Sequence, residues 1–74
     1  MKDTGYYVAQ ALNNNAGYFT KKIAMIKELI ELYEKAVFLD KEEVQKTIFK
    51  YKCMIEAYQE AVKVLERAAE IWGE

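Results

Sequence analysis

The chain has 74 residues, 11 of them basic and 12 acidic, with one cysteine, no histidine, no serine and no proline. That length allows one domain, whose core is typically worth only about 3–5 kcal/mol unless something staples it. One cysteine forbids an intrachain disulfide, and without histidine the metal donors are poor, so association with another chain is the natural staple.

Residues 4–17 come first and read two ways. Asn13-Asn14-Asn15-Ala16-Gly17 is poor helix material, costing about 3 kcal/mol in summed propensity against alanine. Yet Ala9, Leu12 and Ala16 keep step with Phe19 and Ile23 downstream. Helix running through from about Asp3 or Thr4 is favoured. The alternative is a short helix over 4–12, a loop over 13–17, and then the long helix.

Residues 18–39 form the body of the first helix, on an apolar spacing of three and four. A tight turn is predicted over residues 38–41. There Asp40 serves as N-cap and Glu42 and Glu43 suit the positive end of a new helix. Leu39 and Val44 bracket the cap as a hydrophobic staple does. The second helix is predicted over residues 41–72, with Gly73 just past its end.

The two helices carry matching ladders. Val44, Ile48, Tyr51, Ile55, Tyr58, Val62, Leu65, Ala69 and Trp72 run forward from Asp40. Val37, Tyr33, Ile30, Ile26, Ile23, Phe19, Ala16, Leu12 and Ala9 run backward with the same steps, so that facing residue numbers total 81. One helix folded back on another requires this symmetry. The fold class is therefore all-α, a single antiparallel helical hairpin over residues 1–74.

Each helix bears a second apolar row beside the ladder. On the first it is Met25, Leu29, Leu32, Ala36 and Leu39; on the second Met54, Ala57, Ala61, Val64, Ala68 and Ile71. Both rows occupy heptad positions g and c, which an antiparallel pair brings to one side. The other side is polar, with Lys27, Glu34, Gln45, Lys52, Gln59 and Glu66. Two helices bury one seam between them, not two. A continuous strip of this length exceeds the few hundred Å² that monomers usually expose. The rows are therefore the expected oligomer interface. Bulky residues on the first helix and small ones on the second suggest that each packs on the other in a homodimeric four-helix bundle. Another protein with a matching groove is the competing partner.

The candidates for chemistry are few. Tyr33, Tyr51 and Tyr58 lie on the ladder, with Lys22, Lys50 and Lys52 nearby. Packing with the hydroxyls reaching the surface is the plain explanation. A pocket that stacks a nucleotide-like molecule and holds its phosphate is the sharper one. Tyr6, Tyr7, Tyr18 and Phe19 either close the open end of the bundle or present an aromatic surface. Phe38 and Phe49 fall on outward positions beside the turn, and Cys53 faces outward. The glutamates at 28, 31, 34, 56 and 60 belong to solvated faces, where Lys27–Glu31 and Glu31–Lys35 are ordinary four-apart pairs.

No Ser/His/Asp or Cys/His set can be assembled, and Gly5, Gly17 and Gly73 are too isolated to cradle a phosphate. An enzyme, a metal and a cofactor are not expected. The net charge of −1 with interleaved lysines and glutamates disfavours duplex nucleic acid. No apolar run reaches about 18 residues, so no membrane span is expected. The polar start does not read as a signal peptide, and the free thiol suits a reducing cytoplasm. In type, though in no motif, the chain resembles small helical-hairpin proteins of bacteria and phages. The expected role is a non-catalytic interaction, regulatory or inhibitor module, with a small-ligand-binding bundle as the alternative.

Overall fold

A computed structural model describes residues 2–73 as two long helices, α1 (Lys2–Lys35) and α2 (Lys41–Gly73), packed side by side as an antiparallel hairpin. The pair measures 58 × 14 × 10 Å between Cα atoms, a rod two helices wide.

The ladder is the core. Ile26 and Ile30 of α1 and Val44, Ile48 and Ile55 of α2 form its buried centre, with Ile23, Tyr33, Tyr51, Met54 and Tyr58 packed against it. Ala16 and Ala69 extend the buried line toward the open end. The register stays within one ladder step of the symmetry about Asp40, with ring contacts that fall to either side of the expected pairs. Phe19 meets Tyr58 with ring centroids 5.3 Å apart, and Tyr33 meets Tyr51 at 5.9 Å.

Helix α1 runs unbroken through Asn13-Asn14-Asn15-Ala16-Gly17, as the favoured reading required. The three asparagines are exposed and Ala16 between them and Gly17 is buried. Packing of Leu12 and Ala16 against α2 therefore outweighs the weak local propensity. The Thr20 hydroxyl also donates to the Ala16 carbonyl at 2.9 Å, securing the turn just past Gly17.

The far end of α1 corrects the sequence reading. The helix stops at Lys35, not at residue 39, and the reversal occupies residues 36–40. Packed helix axes lie about 8–10 Å apart, and a chain crossing that gap needs several non-helical residues. Asp40 is already committed as the cap of α2. Its side-chain Oδ1 accepts from the Glu42 amide at 3.0 Å, and its carbonyl accepts the first α2 bond from Val44 at 2.9 Å. The crossing residues must then come from the end of α1. The Ala36 amide closes on the Tyr33 carbonyl at 3.2 Å, a tightened last turn. Val37, expected opposite Val44 on the ladder, is 93% exposed.

The open end is closed by backbone proximity. An added Cβ on Gly5 would lie 2.8 Å from the Trp72 carbonyl oxygen, so glycine is what lets the first turns of α1 touch the last of α2. Gly73 lies inside α2 as its last helical residue, so the helix ends one residue later than the sequence suggests. No described glycine adopts a positive φ.

Candidate interaction face

Adjacent to the core ladder, the g and c rows come to one side of the hairpin. Met25, Leu29, Leu32 and Leu39 of α1 and the turn are exposed, as are Ala57, Val64 and Ile71 of α2. Leu32, Val64 and Ile71 are each about two-thirds open (65%, 67% and 66%). Ala36, Met54, Ala61 and Ala68 are half-buried, because they sit closer to the ladder. Although Ala36 and Leu39 fall in the turn, they keep their place. With Leu29, Leu32 and Tyr33 they line a shallow apolar groove of about 330 Å³.

The two rows occupy different lengths of the rod. The bulky α1 row lies in the half nearest the turn, whereas Ala57 to Ile71 lie in the half nearest the open end. A two-fold pairing with both turns together sets each α1 residue against the partner's α2 at the same distance from the turn. Leu29 and Leu32 would then oppose the stretch around residues 49–52, not the alanines. With turns at opposite ends, α1 faces α1. Side-chain size alone therefore does not select which helix packs on which.

The opposite side is wet throughout. Lys27, Glu34, Gln45, Lys52, Gln59 and Glu66 are all exposed, as are the outermost Lys21, Glu28, Lys35, Lys46, Glu60 and Arg67. Among the described residues the ion pair closed is Lys63 to Glu60 at 3.3 Å. The expected four-apart pairs of α1, Lys27–Glu31 and Glu31–Lys35, are not closed. An exposed pair of this kind contributes little.

The six residues of the imagined ligand pocket do not converge on one place. Tyr33 and Tyr51 touch each other. Tyr58 lies two helical turns further along and stacks on Phe19. The Lys22 ammonium sits 5.6 Å from the centroid of the Tyr18 ring, a cation–π contact, while Lys50 and Lys52 are exposed on α2. No described buried side-chain oxygen lacks a partner, and the three ladder tyrosines make no hydrogen bond, so their hydroxyls reach solvent.

A cleft that sequence reasoning missed lies beside the turn on the polar side. It holds about 550 Å³ and is lined by Tyr33, Glu34, Ala36, Val37, Lys41, Val44, Gln45 and Ile48. It exists because Val37 leaves the ladder: the space facing Val44 is no longer filled from α1. Nothing in the apolar spacing signals it. The need for crossing residues ahead of Asp40 would have.

The remaining aromatics separate into groups. Tyr6 and Tyr7 stand edge to face at 5.4 Å, both exposed. Tyr18 and Phe19, three turns later, form another pair at 5.8 Å. Phe38 at 87% and Phe49 at 70% exposure stand open beside the turn, and Cys53 is exposed on α2. No described helix is long and apolar enough to cross a membrane.

No protein family, curated protein or solved structure matches this chain, so no residue role is carried over from a relative.

Proposed function

We propose that this chain is a non-catalytic helical-hairpin module that acts by protein–protein contact. Through its apolar flank it pairs with a second copy, giving a four-helix bundle. The bundle then regulates or inhibits another protein. The single observation that supports the reading is the flank itself, a row from Met25 to Leu39 and from Met54 to Ile71 on one side of the rod. Apolar surface of that extent associates, since each Å² removed from water contributes about 25 cal/mol.

Size-exclusion chromatography with light scattering tests the assembly. The expected mass at micromolar concentration is twice the 8.7 kDa of one chain. A clean single-chain mass removes the reading. Capture of a distinct protein from the native host, lost on Ala61→Glu and kept on Gln59→Glu, tests the regulatory part.

A second reading, binding of a small planar ligand, draws on the Tyr33–Tyr51 ring pair and the adjoining cleft with its Glu34, Lys41 and Gln45 rim. Its volume falls within the range of small-molecule sites. A thermal-shift panel of nucleotides and related aromatics tests it. A ligand at a hundred times its dissociation constant raises stability by about 2.7 kcal/mol, and no shift with any member at millimolar levels rejects it.

A further inference from the structure

The single hairpin has too much surface for its mass. A compact monomer of 8.7 kDa exposes about 4,700 Å². This chain exposes 6212 Å², an excess of roughly 1,500 Å². Its radius of gyration is 17.0 Å where a compact domain of this length has about 11 Å. The interior is correspondingly thin. Among the described residues seven hydrophobic side chains are buried, none of the large ones is fully enclosed, and no disulfide or buried polar network adds to them.

From these quantities, and resting on the interface reading above, we infer that a second copy of this chain completes the core, so that folding and pairing are one transition. The flank has the dimensions required. The whole hairpin extends 58 Å by 14 Å between Cα atoms, so the side that carries the two apolar rows offers on the order of 800 Å² in all, the share each partner contributes to a standard stable interface. A net charge of −1 per chain sets up no appreciable repulsion between identical copies. The charged and amide side chains of the opposite side confine pairing to the flank, so the assembly closes instead of growing. Leu29, Leu32, Val64 and Ile71, exposed in one chain, become interior in the pair. The amount of folded protein then depends on its own concentration: below the dissociation constant the chain is unfolded, not a free helical monomer.

The test is a dilution series of the full chain from about 1 to 100 µM, followed by light scattering and by thermal melts in far-ultraviolet circular dichroism. The expected result is a two-chain mass and one transition whose midpoint rises by about 5 °C per tenfold concentration, the slope for a dimer of this size. A two-chain mass with a concentration-independent midpoint overturns the coupling and leaves the interface reading standing. A one-chain mass with a cooperative melt overturns both. In a paired control at about 5 µM, Val64→Glu is expected to lose mass and helicity together, while Gln59→Glu on the wet side keeps both. A helical single chain in Val64→Glu contradicts the inference, and so does equal loss in Gln59→Glu.

Discussion

At the turn end of the hairpin, the chain must cross from one helix axis to the other, and Asp40 decides where the second helix begins. At the open end nothing crosses, and the two helices meet along their flanks with Gly5 against the Trp72 carbonyl. The apolar pattern is continuous through both regions, yet it prevails in only one. Near the turn it is overridden: Val37 leaves the ladder because the crossing needs residues that are not helical. Near the open end it wins: three asparagines and a glycine stay helical because Leu12 and Ala16 have α2 to pack on. Chain geometry outranks burial where the backbone reverses, and burial outranks propensity where it does not.

Substitutions can break or sharpen this contrast, each measured by thermal or urea unfolding at one fixed chain concentration. The largest effect belongs to the ladder that both ends share. Ile55→Asp places an unpaired charge at a buried position and is expected to cost more than about 4 kcal/mol, enough to abolish the helical signal. If the variant stays folded, the ladder is not the core and the contrast loses its reference. At the open end, Gly5→Ala forces backbone apart and is expected to destabilise by about 1–3 kcal/mol despite its better helix propensity. A gain in stability there would mean that the helix ends do not touch.

At the turn, Asp40→Ala removes the acceptor of the Glu42 amide and is expected to cost about 1 kcal/mol. Gly17→Ala carries the opposite sign. No atom outside its own helix lies within 4 Å of an added Cβ, so the change is expected to stabilise by about 0.5–1 kcal/mol. The two glycines thus separate close approach from simple tolerance within one helix. The smallest effect is expected from Val37→Ala, under about 0.5 kcal/mol because the side chain is already in water. A loss of 2 kcal/mol or more at Val37 would put it back on the ladder and extend α1 toward residue 39.

Much of this architecture is legible in the order of residues because a helical hairpin has one degree of freedom that matters, its register. Steps of three and four mirrored about a capping aspartate specify that register, and the Phe19–Tyr58 and Tyr33–Tyr51 contacts, whose numbers total 77 and 84, fall one ladder step to either side of it. The cap was readable too, since Asp followed by acidic residues has few other uses ahead of an apolar run. The end of α1 was not, because periodicity says which face a residue would occupy if helical and not whether the backbone has room to remain so. The cleft beside Tyr33 follows from that same omission. The flank was legible as a surplus of apolar positions. Its division into a bulky half near the turn and a small half near the open end emerges only when the two helices are laid antiparallel.

The central claim is that the flank is covered by a second copy. Isotope-filtered nuclear Overhauser measurements on a mixture of labelled and unlabelled chains test this most directly. The account predicts intermolecular contacts from the methyl groups of Leu29, Leu32, Val64 and Ile71 to the partner chain. Methyl groups on that row showing only intramolecular neighbours and water, in a sample that is folded and helical, would contradict it.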